Sequence, residues 1–308
     1  MSCRPRFGLI GTGVWAREVQ APAAANSDAV SFCSVFGRSE INAEALAAPF
    51  NARAYSDLGD FLDSVDIVGI ALPPEVQPRF ALAAAEAGKA AILEKPLALD
   101  PLEAEDIALA FEQRGLPALM FFPYLLIPET QAWLSNVATS GGLIAARIES
   151  YSRLFRDQAH PFFNTVAAWR GAAGALWDSG PHFVAMLLMT LGEITKVSAV
   201  RGEGDLKILT LIHASGAVSS VSLSFDAPAS VPGETAFFGA AGKAILPEGQ
   251  DWFADSKIAY VNALRQVADS LVIKNLEVDP GVRLGVRVTK VLAAAEQSIV
   301  TCRLIEIQ

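Results

Sequence analysis

Over about the first 120 residues, short apolar runs alternate with alanine-rich stretches of mixed polarity. Arg6–Ile10, Val30–Phe36, Asp66–Leu72 and Ala90–Leu93 read as strands; Val14–Ala25, Ile41–Ala48, Glu75–Ala87 and Pro101–Arg114 read as helices. Gly88 and Gly115 stand where helix C-caps place glycine, and Asp100-Pro101 reads as an N-cap followed by proline in the first turn. Strands that are apolar on both faces, in strict alternation with helices, predict a parallel sheet covered on both sides.

From Pro123 the rhythm changes. A helix at Glu129–Val137, a strand at Leu143–Tyr151 and a helical, largely apolar stretch at Ala172–Leu191, with Pro181 as a point where it can kink, precede consecutive strands at Lys196–Arg201, Lys207–His213, Val218–Phe225, Thr235–Gly239 and Lys243–Leu246. Helices at Ser256–Ile273 and Gly281–Ser298 close the chain. Strands without intervening helices predict a mainly antiparallel sheet. The expected fold class is therefore α/β: a doubly wound Rossmann domain over residues 1–122, then an α+β domain with an open, mainly antiparallel sheet over 123–308. Alternating apolar residues at Val218, Val221, Leu223 and Phe225 are expected to expose an apolar face, and hence to drive a homodimer or homotetramer.

Composition narrows the function classes. At 308 residues, 52% hydrophobic and 19% charged, the chain has ample apolar content for two cores. A net charge of -9 and the absence of any basic run argue against a nucleic-acid partner. Cys3, Cys33 and Cys302 are scattered, which predicts reduced thiols and neither a disulfide frame nor a metal site. The apolar stretch after Arg6 is cut short at Gly11, and the longest apolar tracts are too short to span a bilayer. A cytoplasmic protein with no membrane partner is the expectation.

The chemistry begins at Gly11-Thr12-Gly13-Val14-Trp15-Ala16, a G-x-G-x-x-A that follows the first strand and opens the first helix. Glycines there let backbone approach a pyrophosphate, and the helix N-terminus supplies N–H donors and positive potential. The second strand runs out into Phe36-Gly37-Arg38-Ser39 with no acid at its tip. An NAD site places a carboxylate there for the 2′-hydroxyl, whereas Arg38 offers a fork of donors suited to a 2′-phosphate. Ser39 either caps the next helix or faces the same anion, or does both. This favours NADP over NAD; the alternative is that Arg38 stacks on adenine while Glu40 reaches the ribose.

Three further stretches carry a family resemblance: Asp66-Ile-Val-Gly-Ile-Ala-Leu-Pro-Pro74 with Ala87-Gly88-Lys89, then Glu94-Lys95-Pro96, then Trp169-Arg170 with Gly174-Ala-Leu-Trp-Asp-Ser-Gly-Pro-His182. In this order they resemble the Gfo/Idh/MocA oxidoreductases (glucose–fructose oxidoreductase and inositol 2-dehydrogenase relatives). The resemblance implies a Rossmann domain joined to an open-faced mixed sheet, an active site between them, and oligomers packed through that sheet. It extends the cofactor site to Ala71, Leu72, Pro73, Gln77, Glu94 and Lys95, and implies catalytic roles for Lys95, Asp178 and His182, with Arg170 beside the substrate.

Those roles make chemical sense. A carbinol gives up hydride readily only as its hydroxyl proton leaves, and the imidazole of His182 titrates in the right range to take that proton. Asp178, four residues earlier, would share a helix face with it and set its tautomer. The Lys95 ammonium would stabilise alkoxide character on the reacting oxygen. The expected function is hydride transfer between a nicotinamide and the CH–OH or C=O group of a small polyol, sugar or dihydrodiol. The competing readings are a non-catalytic dinucleotide-sensing regulator and an NAD-dependent glycosidase. Gln77 stands where the family commonly has His, Phe121-Phe122-Pro123-Tyr124-Leu125 replaces Asn-x-Arg, and Ala185 replaces Asp, which leaves a less polar cleft with Arg153, Arg156 and Arg170 as polar contacts. His213, in an alternating strand, reads as structural; His160 lines the cleft or is exposed.

Overall fold

The computed structural model describes residues 4–157, 168–229, 231–247, 249, 251–273 and 278–307. Contacts divide the chain into two compact units. The first combines residues 1–98 and 102–127 with 249–286; the second combines 99–101, 128–248 and 287–308. This division differs from the continuous one expected from sequence, because a late segment returns to the first unit.

The first unit is a six-stranded parallel sheet of β1 (Arg6–Ile10), β2 (Ser31–Phe36), β3 (Arg53–Tyr55), β4 (Ile67–Ile70), β5 (Ala90–Glu94) and β6 (Ala118–Phe121). Their order is β3-β2-β1-β4-β5-β6, so the strand sequence reverses between β1 and β4. Open α/β sheets bind ligands beyond the carboxyl ends of the strands at such a reversal. Every residue of β4 and β5 is buried, as strands covered on both faces must be. The late segment supplies the helix Trp252–Ile273. Its buried side, Ala259, Tyr260, Ala263, Leu264 and Val267, recurs every three or four residues and joins Phe7, Leu9, Ile67, Ile92 and Phe121 in one core cluster.

The second unit is a seven-stranded sheet of β7 (Ala145–Tyr151), β8 (Ile194–Arg201), β9 (Lys207–His213), β10 (Val218–Ser224), β11 (Val231–Gly239), β12 (Gly242–Ile245) and β13 (Ile305–Glu306). The order is β12-β11-β7-β10-β9-β8-β13, antiparallel except where β7 and β10 run parallel. Helices cover one face: a Cβ on Gly180 would lie 3.2 Å from Leu292 and 3.6 Å from Leu223, and Trp133 packs 5.8 Å from Phe237.

That packing corrects the expected exposed apolar face. Val221, Leu223 and Phe225 are buried beneath the helices, because period-2 alternation separates two faces without saying which is covered. The uncovered face instead carries Ser220 and Ser222 on β10, the Arg147–Glu234–Lys243 ion pairs, and a few apolar residues: Val200 (58% exposed), Ile208 (42%) and Val218 (42%).

The helical stretch expected over Ala172–Leu191 is broken, at Gly174 and before Gly180 rather than at Pro181. Backbone leaves helical geometry at Gly174 (φ 63°, ψ −163°), one helix ends at Asp178, and another begins at Gly180. Pro181 lies in the first turn of that second helix, where its missing N–H costs no helical bond. The break at Gly174 is held by buried Asp205, whose Oδ2 accepts from the N–H groups of Ala175 and Phe225 at 3.0 Å and whose Oδ1 accepts from Lys207 Nζ at 2.6 Å. A Cβ at Gly174 would fall 2.1 Å from Asp205 Oδ1, so both the positive φ and the close approach require glycine. Among the described residues no helix is long and apolar enough to cross a membrane.

Candidate active site

The glycine turn lies at the carboxyl end of β1. Gly11 donates its N–H to Phe36 O at 3.0 Å, and Ala71 N–H donates to Ile10 O at 2.8 Å, so the ends of β2 and β4 bracket the turn. Gly11 has φ +114°, and a Cβ on it would sit 2.4 Å from Ala71 O; only glycine fits. Gly13 is different. A Cβ there would meet nothing within 4 Å, so the glycine leaves an open cradle at the first turn of the helix that starts at Val14. Open backbone beside exposed N–H donors and positive dipole is what a pyrophosphate needs.

The tip of β2 lies beside this turn, since a Cβ on Gly37 would be 3.0 Å from Thr12 Cγ2. Arg38 and Ser39 are exposed there. Ser39 Oγ accepts from Asn42 N–H at 3.4 Å as the N-cap of the Glu40–Ala47 helix, as one sequence reading had it. Leu72 and Pro73 follow β4 and are half-buried.

A buried carboxylate ties the turn to Lys95. Glu94, the last residue of β5, accepts at Oε1 from Trp15 Nε1 (2.7 Å) and Gln20 Nε2 (2.6 Å), and at Oε2 from Lys95 N–H (3.3 Å). Burial pushes its carboxyl up to about 7, against the lowering pull of the Lys95 charge and of these donors. Gln77, fully buried, bonds the backbone on both sides of Lys95. The Trp15 indole stacks on Trp252 (6.4 Å, 28°) and contacts Phe253 and Phe121, while Tyr124 lies 5.2 Å from Trp252. Neither Gln20 nor the Trp252–Tyr260 segment carries a signal in sequence that places it here; only the returning helix does.

In the second unit, Asp178 closes one helix and His182 lies in the first turn of the next, both buried. Ser179 N–H donates to Ala175 O at 2.9 Å and His182 N–H to Ser179 O at 3.1 Å, which sets the turn between them. The two therefore do not share one continuous helix face. Arg170 belongs to the Ala168–Asp178 helix. Arg156 pairs with Asp226 (2.5 Å), and His213 is held between Gly192 O (2.9 Å) and Ser219 Oγ (2.6 Å), a structural arrangement. His160 lies outside the described residues.

A six-stranded parallel sheet with a glycine turn and open helix N-terminus at its strand reversal defines a dinucleotide-binding protein. Residues 5–122 match the profile of a family described as "Oxidoreductase family, NAD-binding Rossmann fold", so the first unit's sheet region is similar to that family. The chain is 26% identical over 231 residues to a 4-carboxy-2-hydroxymuconate-6-semialdehyde dehydrogenase of Sphingobium sp., covering 72% of each chain. It is likewise 26% identical over 249 residues to a scyllo-inositol 2-dehydrogenase (NADP(+)) of Bacillus subtilis, covering 74% of each. Over the curated relatives the matched stretch spans 42% to 74% of the relative's length. Among solved structures, GenD2 from gentamicin A biosynthesis in complex with NAD superposes with a TM-score of 0.84 at 23% identity, covering 100% of this chain and 97% of that one. That likeness carries the fold.

The raised Glu94 carboxyl makes stability pH-dependent. A carboxyl that titrates near 7 when folded, against 4.5 when free, holds its proton more tightly in the folded state. Its stabilisation is full below the free value and is lost as pH rises through 7. Glu94→Gln removes this titration. The unfolding free energy of wild type minus variant should fall by about 3 kcal/mol between about pH 4 and about pH 8, read from urea melts. A flat difference would contradict the assignment.

Proposed function

We propose that the protein is an NAD(P)-dependent dehydrogenase or reductase acting on the CH–OH or C=O group of a small polyol, sugar or dihydrodiol-like substrate. The observation that carries the reading is the open glycine cradle at the end of β1, joined through Glu94 to Lys95 at the end of β5. A relative named as a scyllo-inositol dehydrogenase supports a small polyol. Gly11 to Trp15 would hold the pyrophosphate, with Ala71, Leu72 and Pro73 beside the turn. Arg38 and Ser39 would hold the 2′-phosphate, which makes NADP the preferred cofactor. The nicotinamide, when bound, supplies or accepts a hydride. Lys95 Nζ donates to the reacting oxygen and stabilises its alkoxide character; His182 takes the hydroxyl proton on an imidazole nitrogen, with Asp178 and Arg170 orienting the site.

The same reading includes a homodimer or homotetramer through the uncovered sheet face. Val200 pairs with Ile208 in register, so these exposed residues are neighbours on that face. A monomer mass by light scattering at micromolar concentration would remove this part of the proposal.

Two outcomes test the chemistry. Arg38→Ala should weaken NADPH binding by about 1.5–3 kcal/mol, roughly 10- to 100-fold, and leave NADH nearly unchanged. Equal dissociation constants for the two cofactors in the wild type would rule the preference out. Lys95→Ala and His182→Ala should each lower kcat by about 10²- to 10⁴-fold while NADPH affinity stays within a few-fold. Undiminished kcat in His182→Ala, once a substrate is found, would refute its role as base.

A further inference from the structure

We infer that Gln77 is a positioning residue for Lys95, built into the fold to hold the backbone turn that presents the lysine, and that it does not touch the dinucleotide. The inference rests on the proposed reading of Lys95 as the group that polarises the reacting oxygen. Gln77 opens the helix Gln77–Glu86 just beyond β4, and its side chain reaches across to the end of β5. Its Nε2 donates to Glu94 O (2.8 Å), Leu97 O (3.0 Å) and Pro96 O (3.1 Å), and its Oε1 accepts from Glu94 N–H (2.8 Å).

A primary amide has two N–H protons and one carbonyl, and here three acceptors share the two protons. No donor remains for a ligand, and the side chain has no exposed surface through which one could reach it. The amide orientation is fixed by the same surroundings. Turned over, Oε1 would face three carbonyl oxygens and Nε2 would face a backbone N–H.

The bonded groups bracket Lys95 on both sides. Glu94 is fixed through both of its backbone polar groups, while Pro96 and Leu97 are fixed through their carbonyls. None of these bonds belongs to the sheet ladder at the point where β5 ends. The lysine is thus anchored from below by Gln77, while its own N–H donates to the Glu94 carboxylate. Glutamine is the residue this geometry demands. Glutamate keeps the length but offers at most one donor, and that only when protonated; asparagine is one methylene short, and methionine keeps the volume with no polar atom able to serve. Removing the amide leaves buried carbonyls without donors, and the turn must shift to find them. A displacement of about 1 Å at a catalytic group can cost about 100-fold in rate.

The test compares full-length Gln77→Met and Gln77→Glu with the wild type. Three measurements are made: NADPH affinity and stoichiometry by fluorescence, steady-state kinetics on a substrate the wild type turns over, and hydrogen exchange by mass spectrometry. Expected are NADPH dissociation constants within about 3-fold at full stoichiometry and kcat lowered about 10- to 100-fold at unchanged KM. Faster exchange should be confined to amides between Glu94 and Ala98. A kcat within about 2-fold of wild type in both variants overturns the inference. So does NADPH binding weakened more than about 10-fold with kcat unchanged, which would make Gln77 a cofactor contact. Activity lost in step with binding stoichiometry, or failure of both variants to fold, makes Gln77 merely structural and also overturns it. If the wild type turns over no alcohol or carbonyl, the proposed activity fails by itself. The positioning of Lys95 is then decided by the exchange data alone, where unchanged protection from Glu94 to Ala98 counts against it.

Discussion

A carboxylate buried at the carboxyl end of a central parallel strand has to be surrounded by donors, and Glu94 imposes that constraint on the first unit. Its oxygens draw in the Trp15 indole and the Gln20 amide from the helix after the glycine turn, together with the Lys95 N–H. An uncompensated buried carboxyl costs several kcal/mol, so each donor is held in place as firmly as the carboxyl itself. Trp15 in turn fixes the aromatic cluster with Trp252 and Phe253. The Tyr260 hydroxyl, buried in the same core, is pushed well above its ordinary range by burial and by the Glu94 charge. Hydrogen bonds through Glu94 therefore tie the helix after the glycine turn to the strand end that carries Lys95.

The second unit solves a similar problem with a different residue. Asp205 collects two backbone N–H groups and a lysine, and so fixes the left-handed residue Gly174 at the start of the turn leading to Asp178. In both units a buried acid shapes the backbone next to residues proposed to do chemistry. Preorganisation of this kind is what keeps a proton-transfer group or an electrophile in place without spending substrate binding energy on it.

Much of the fold was legible in the sequence because its signals are local. Alternating apolar strands and helices ending in glycine place the parallel sheet, and Gly11-Thr12-Gly13 places the turn at the end of β1. What escaped is either too short to carry a pattern or non-local. The three-residue β3 is too short to show a pattern. The helix break at Gly174 depends on Asp205, thirty-one residues later. Nothing in the composition of Trp252–Ile273 says that it packs with the first unit, since its apolar stripe would suit any core. Alternation in β10 separates its faces, yet which of them the helices cover is decided by helices elsewhere in the chain. Of the candidate site, residue types at strand ends could be read, but not the bonds of Gln77, which run seventeen to twenty residues along the chain.

A nicotinamide dinucleotide lying over the glycine turn would need the open space at Gly13, which can be filled directly. Its Cβ position is open in the protein alone, so Gly13→Val should fold normally yet fill the space that a pyrophosphate needs. Isothermal titration of NADPH and NADH into wild type and variant measures this directly, with thermal melts as the control. Expected are saturable one-site binding to the wild type, and at least about 100-fold weaker binding to a variant with an unchanged melting temperature. Wild-type affinity retained in Gly13→Val, or no binding of either dinucleotide to the wild type, would contradict it.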